Sequence, residues 1–402
     1  MTIACPDCGV LQDLPPLRRG TAAVCPDCDH SLERTSGRSQ GAAFAFALAT
    51  LILLFPANTE PLLRISMLGV DRESHLGSGV ITLWNNQWVI VAVLVAAFAV
   101  VLPFIRFALL SLVLGCLRGQ RRPAWLGRAF RWSMQLDRWA MPDVFLLGAA
   151  VGYSRVAASL PVHIGWGGIC LILAAVCAML SRATLDRRTV WRALESEREP
   201  LQPDEPAISC IICDCVVAAH SDQRCCPRCG SRLSARKPAA LVRTLALVLA
   251  GLAFYVPANI YPMSTDVQLG ELVGHRIVDG IAELFQAGLW PLGVLIFCTS
   301  IAIPLLKLIG LSWLLVSVRR RSRRGLVFKT KLYRVIDEVG RWSNVDVFTI
   351  AVFVPLLQFG QLATAQASTG ATAFILVVAL TMIAVRTFDP RMMWDAALGA
   401  RA

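Results

Sequence analysis

Whole stretches of this chain carry no charge, and nothing else in the sequence constrains it as much. Gly41 to Thr59, Thr244 to Thr265 and Val347 to Val385 contain no Asp, Glu, Lys or Arg. Ser74 to Ile105 is also free of them, and Leu284 to Val318 contains only Lys307. Crossing a bilayer takes about 20 mostly apolar residues in one helix. Composition agrees: 56% of residues are hydrophobic and 16% charged, where soluble domains carry about 25% charged residues. The expectation is an all-α polytopic membrane protein.

Eight transmembrane helices are expected. Gly41–Thr59 is the first, and one long helix over about 86–116 is the second. Val144 to Leu180 reads as two spans joined at Pro161 and Gly165, because Pro and Gly punctuate helices. The second half supplies Thr244–Thr265, Leu284–Val318 and a pair within Val347–Val385, with a turn at the polar dip Gln361–Gly370. Short loops rich in Lys and Arg stay on the cytoplasmic side. Loops 117–138 and 319–341 carry six and nine of them, against two and one in 60–80 and 264–285. Both termini and the central segment 182–240 are therefore expected in the cytoplasm. Before residue 40 there is no basic region followed by an apolar one, so no cleavable leader is expected.

The halves look like copies. Phe55-Pro-Ala-Asn-Thr-Glu-Pro61 aligns with Val256-Pro-Ala-Asn-Ile-Tyr-Pro262, which places Arg106 opposite Lys307 and Ser111 opposite Ser312. With two more residues of offset, Arg138-Trp139 and Asp143 align with Arg341-Trp342 and Asp346. Asp186-x-Arg188-x-x-Trp191 then aligns with Asp389-x-Arg391-x-x-Trp394. Apolar residues match by chance; Pro, Asn, Asp, Arg and Trp in one order do not. Four spans per copy bring both copies in from the same side, so the expectation is two parallel four-helix repeats.

Fourteen cysteines would suit a short secreted disulfide scaffold, not a chain of 402 residues. Eight of them form Cys-x-x-Cys turns: Cys5 and Cys8 with Cys25 and Cys28, then Cys210 and Cys213 with Cys226 and Cys229. Two-residue spacing lets both sulfurs of a turn face one ion. Four thiolates complete a tetrahedral zinc site and leave no open position for catalysis. Each set reads as a small cytoplasmic zinc ribbon, with two structural ions in all. Gly9 and Gly230 follow their turns where a left-handed residue is often needed. Asp29 and Asp214 stand at the same places and tolerate that conformation less well. Cys215, Cys225 and His220 leave the second ligand set open. The organisation expected is ribbon 1–39, bundle 40–192, ribbon 205–236 and bundle 237–395. Cys116, Cys170, Cys177 and Cys298 are isolated in spans and read as packing residues. Five histidines are too few for several haems.

Charges inside a span are costly and face the protein interior or water. Lys307 stands eleven residues before the cytoplasmic end of its span, about 17 Å of helix. Asp346 opens the next span and can pair with it; Arg106 and Asp143 hold the same places in the first copy, and Ser111 and Ser312 follow one turn on. Two readings stand. One is a polar network that couples proton movement or substrate release to conformational change; the other is ion pairs that fix packing. Pro56–Asn58 and Pro257–Asn259 read as helix terminators, and Trp84, Trp88 and Trp290 as interfacial aromatics. The basic loop 319–341 reads as a topology determinant against anionic lipid, with no nucleic acid involved.

Two four-cysteine ribbons each preceding a bundle, the doubled Pro-Ala-Asn and the doubled Asp-x-Arg-x-x-Trp together resemble the paraquat-inducible protein A family. The resemblance covers almost the whole chain; Asp29, Cys215 and Cys225 depart from the pattern. It implies a Gram-negative inner-membrane protein that works with a periplasmic MCE-domain protein. The chain would load phospholipid into that partner's hydrophobic tunnel, or extract it. No P-loop appears, so ATP is not the direct energy source. No nucleophile with a base stands out in the spans, so no enzyme is expected. Two other classes compete: a quinone- or thiol-linked membrane redox protein, and a zinc-ribbon membrane scaffold.

Overall fold

The structure, a computed structural model, describes residues 2–14, 17–18, 20–34, 39–67, 70–85, 88–120, 122–157, 162–194, 207–218, 225–268, 271–345, 347–349 and 364–399. Strands β1 (Thr2–Ala4) and β2 (Leu11–Asp13) pair, as do β3 (Ala22–Val24) and β4 (Ser31–Arg34), and form the first ribbon. The first repeat follows as α1 (Gln40–Thr59), β5 (Leu63–Met67), β6 (Val70–Ser74), α2 (Leu76–Asn85) and α3 (Val89–Arg118). It continues with α4 (Leu126–Leu136), α5 (Pro142–Ala157), β7 (Val162–Ile164), α6 (Trp166–Thr184) and α7 (Arg187–Ala193). The paired strands β8 (Ala207–Ser209) and β9 (Val216–Ala218) belong to the second ribbon. The second repeat runs α8 (Ala240–Ile260), β10 (Ser264–Gln268), β11 (Glu271–His275), α9 (Ile277–Gln286) and α10 (Trp290–Arg319). It closes with α11 (Leu326–Val339), β12 (Thr364–Ala367), α12 (Thr369–Thr387) and α13 (Arg391–Leu398).

Six helices among the described residues are long and apolar enough to cross a membrane: α1, α3, α6, α8, α10 and α12. Eight were expected. Helix α5 has 16 residues, about 24 Å at the usual rise, which falls short of the roughly 30 Å of a hydrocarbon core. Residues 350–363, with much of the last expected hairpin, lie outside the described residues.

The expected terminators act later than their position suggests. Helix α1 runs through Pro56 to Thr59, and α8 through Pro257 to Ile260. The stops are Pro61 and Pro262, because a proline pushes the residue before it into extended backbone. Glu60 accordingly has φ −89 and ψ 156, and Tyr261 φ −79 and ψ 149. Helices α3 and α10 each contain one π-helical stretch, Ala96–Val101 and Cys298–Ala302, just ahead of Pro103 and Pro304. A proline has no N–H to return to the preceding turn. In the first repeat the Phe98 carbonyl, five residues before Pro103, is instead taken by the backbone N–H of Met141 at 3.4 Å.

Small residues set the close pairs. Ala43 and Ala47 on α1 share a buried cluster with Ala174 and Ala178 on α6. Lipid is as apolar as any core, so apolar helices associate where small side chains let backbones approach. At the start of α6 a side chain on Gly167 would overlap the Glu60 carbonyl, and one on the equivalent Gly370 of α12 would overlap those of Tyr261 and Pro262. Beside these contacts lie two three-stranded antiparallel sheets, with β5 central between β6 and β7, and β10 central between β11 and β12. The sheets cap one end of the molecule and the ribbons the other.

Each ribbon docks on the repeat it does not precede. The cysteines of the first ribbon, with Ile3 and Leu32, share a buried cluster with Leu308, Leu311, Tyr333 and Met393 of the second repeat. Those of the second ribbon share one with Leu110, Leu126, Phe130 and Trp191 of the first. A third cluster joins the repeats, and there Phe145 meets Phe348 edge-on with centroids 5.3 Å apart. Trp88 belongs to this core at 2% exposure, so it is not an interfacial residue; Trp84 and Trp290 are exposed.

Candidate metal centres and buried polar network

Four Cys-x-x-Cys turns share one backbone pattern. The first cysteine's carbonyl accepts from the residue four positions on: Cys5 from Gly9, Cys25 from Asp29, Cys210 from Asp214 and Cys226 from Gly230, at 2.8–3.0 Å. Each of those residues is left-handed, with φ of 80, 56, 54 and 66 in the same order. The conformation expected for the two glycines is thus also adopted by the two aspartates.

The turns bring Cys5, Cys8, Cys25 and Cys28 together, and separately Cys210, Cys213, Cys226 and Cys229. All eight are buried, and the sulfurs of each set lie within 4.8 Å of one another. Cys5 and Cys28 sulfurs are 3.5 Å apart, and Cys8 and Cys25 sulfurs 3.6 Å. The second set gives 3.6 Å for Cys210–Cys229 and for Cys213–Cys226. A tetrahedron with metal–sulfur bonds of about 2.3 Å has edges of about 3.8 Å, so both donor sets fit one tetrahedral ion. Cys225 is exposed, Cys215 is buried outside the set, and His220 lies outside the described residues. Cys116, Cys170 and Cys177 are half-buried and Cys298 is exposed.

The buried cations of the two repeats have different surroundings. Arg106, fully buried on α3, pairs with Asp137 at 2.5 Å. Asp137 also receives Arg182 and Arg187, each at 3.0 Å. Burial alone would raise its pKa, but the charges of Arg106, Arg182 and Arg187 outweigh that and hold the carboxyl well below the usual carboxylate range. Asp143 is bound by Arg182 at 2.9 Å and by Arg341 of the other repeat at 3.1 Å. Arg106 therefore pairs with Asp137, while Asp143 ties the repeats together. Sequence reasoning passed over Asp137 because it lies between spans, although it directly precedes the aligned Arg138-Trp139.

Lys307, buried on α10, donates to the Ser343 hydroxyl at 2.7 Å and reaches that of Thr381 at 3.5 Å. Its stem runs over Gly340, where a Cβ would stand 2.9 Å from Lys307 Cε. Asp346, its expected partner, lies outside the described residues. Ser111 is buried and Ser312 half-buried, and no hydrogen bond among the described residues links either to these cations.

Two repeats of membrane-length helices, paired four-thiolate clusters and charges buried beside the repeat interface define a duplicated, metal-binding polytopic membrane protein. The chain belongs to the paraquat-inducible protein A family, whose pattern matches residues 41–195 and 241–397. It is 31% identical over 401 residues to the intermembrane transport protein PqiA of Escherichia coli (strain K12), covering 98% of this chain and 95% of that one. It is 28% identical to the lipophilic envelope-spanning tunnel protein A of the same strain, covering 98% and 91%. A probable intermembrane transport protein of Haemophilus influenzae is 25% identical, covering 98% and 95%. No solved structure matches the chain.

Proposed function

We propose that the chain is the inner-membrane subunit of an intermembrane lipid transport system. It passes phospholipid between the inner membrane and a periplasmic MCE-type tunnel protein, and so maintains the envelope barrier. Full-length likeness carries this reading: relatives named for intermembrane transport and for an envelope-spanning tunnel match 98% of the chain. The chain is not a catalyst, and the two ions are structural zinc, since closed four-thiolate sites leave no reactive position.

In this reading the chain crosses the membrane eight times, with both termini and both ribbons cytoplasmic. Helix α5 supports the count. Near its start Arg182 donates to the Ala140 carbonyl at the ribbon end, and past its end β7 pairs with β5 at the sheet end. The segment from Ala140 to β7 therefore starts at the ribbon end and finishes at the sheet end, as a crossing would. Ribbon 1–39, bundle 40–192, ribbon 205–236 and bundle 237–395 remain the working division.

The polar groups Arg106, Asp143, Lys307, Asp346, Ser111 and Ser312 are assigned to the transport machinery in unequal parts. The Asp137 carboxylate holds Arg106, because separating a buried ion pair leaves an uncompensated charge. Among the described residues hydroxyls hold Lys307, and they exchange at lower cost. Lys307 is accordingly the group that rearranges as lipid moves.

Affinity purification in mild detergent, with mass spectrometry of what accompanies the protein, tests the reading. Phospholipid and a periplasmic MCE-domain protein are the expected companions. Folded protein that recovers neither overturns it. Reporter fusions at the two termini test the topology, and opposite faces for the two ends would overturn the eight-crossing count.

A further inference from the structure

We propose that Arg334 of the second repeat is a positioning residue of the first ribbon's metal site, so that metal retention there is coupled to docking on that repeat. The second ribbon holds its metal without such help. The inference rests on the metal reading of the cysteine clusters and not on the transport reading.

A divalent ion with four thiolates leaves two net negative charges in a buried place. Nearby donors must offset them, and the groups that hydrogen-bond a ligand commonly decide how tightly the metal is kept. Around the first cluster those groups come from the other repeat. Arg334, on α11, donates to the Cys28 sulfur at 3.5 Å and to the Cys28 carbonyl at 3.0 Å. The same guanidinium reaches Asp7 at 2.6 Å and the Asp29 carbonyl at 3.4 Å. One turn earlier Lys331 pairs with Asp29 at 2.9 Å, and Arg391 donates to the Pro6 carbonyl at 3.0 Å. Arg334 thus brings a cationic donor from the second repeat onto a sulfur of this cluster.

The second ribbon is built differently. Its Ser231 hydroxyl lies 3.2 Å from the Cys210 sulfur and 3.0 Å from that of Cys229, and Ser231 belongs to the ribbon itself. Five residues after the matching cysteine of the first ribbon stands His30, which faces Asp7 at 2.9 Å instead of a sulfur. Arg131 is the first repeat's counterpart of Arg334, and it lies over the Trp132 ring with its guanidinium 5.7 Å from the centroid. One site thus carries its own sulfur donor, and the other borrows one from across the molecule. Coupling of this kind is reciprocal: metal in the first ribbon also favours its seat on the second repeat.

The test scores both clusters within one molecule. Full-length protein purified with its metal is exposed to a chelator, and released thiols are alkylated and read peptide by peptide by mass spectrometry. Arg334→Gln should speed labelling of Cys5, Cys8, Cys25 and Cys28 by about 10-fold or more, with Cys210, Cys213, Cys226 and Cys229 unchanged. Arg334→Lys keeps a cationic donor and should restore part of the protection. Ser231→Ala should show the mirror image. Equal acceleration at both clusters, or an unchanged ratio, overturns the proposal. So does complete labelling of both clusters in the unaltered protein before any chelator is added, which removes the metal reading while leaving transport untouched. If Arg334→Gln does not accumulate, the ratio measured on Arg334→Lys decides.

Discussion

The two repeats share a skeleton and treat their buried cation in opposite ways. In the first, Arg106 is locked by Asp137, which also binds Arg182 and Arg187. At the place aligned with Asp137 the second repeat has Gly340, and Lys307 rests over it against hydroxyls. Ser343 and Thr381 align with Ala140 and Ala178, so acid has been exchanged for hydroxyl around one spot. The closing helices differ as well: 61% of the membrane-length window of α12 is buried, against 33% of that of α6. Helix α6 offers Ile169, Ile172, Leu173 and Val176 to its surroundings, whereas α12 offers Ile383. Among the described residues, the duplicated fold thus meets one buried cation with a carboxylate and the other with hydroxyls.

The sharpest way to break this comparison is to remove the two partners in parallel. Asp137→Ala strands Arg106 and should cost about 3–5 kcal/mol, seen as a collapse of thermal stability in detergent. Lys307→Met should leave stability equal or higher, because replacing a buried charge by an apolar group of similar size is often neutral or favourable. The same variant should nevertheless abolish transport in an envelope-barrier complementation assay. Equal losses of stability would erase the distinction between the repeats.

Gly340→Asp transplants the first repeat's solution into the second. The new carboxylate would stand beside the Lys307 amine, and the variant should remain folded while its complementation falls about 10-fold or more, as locking a rearranging pair demands. Unchanged transport would deny Lys307 its role.

Stability should also follow pH through Lys237. Burial lowers this lysine to about 8, while its amine donates to the Arg386 and Phe388 carbonyls. An unfolded lysine keeps its proton to about 10.4. Between those values the unfolded chain binds more protons, so stability should rise from pH 8 towards 10.4 and show no such slope below 8. Lys237→Gln should flatten the rise in a melting series.

The smallest effect concerns the knuckles. Asp214 holds φ 54, where Gly230 holds 66 without strain. Asp214→Gly should therefore gain up to about 1 kcal/mol, read as higher resistance of the second ribbon to denaturant.

Much of the architecture was legible because its signals are local. Cys-x-x-Cys brings two sulfurs to one side of a tight turn whatever surrounds it, and charge-free stretches of membrane length have few alternatives to apolar helices. The duplication was legible because Pro-Ala-Asn and Arg-Trp recur in register with the elements that carry them. Partner choice was not. Asp143 follows Arg106 in the aligned order, yet Asp137 holds it; Trp88 begins a span as interfacial residues do, yet it lies in the core.

From the sequence alone came the membrane helices, the two copies and the two four-cysteine sets, each written in contiguous runs or short motifs. Only the tertiary structure decided that each ribbon crosses to the other repeat, that Asp143 ties the copies together, and that Lys307 meets Ser343 and Thr381. Those outcomes depend on which helix faces touch. Where every face is apolar, side-chain volume and backbone approach choose the contacts, and neither can be read from a hydrophobic pattern.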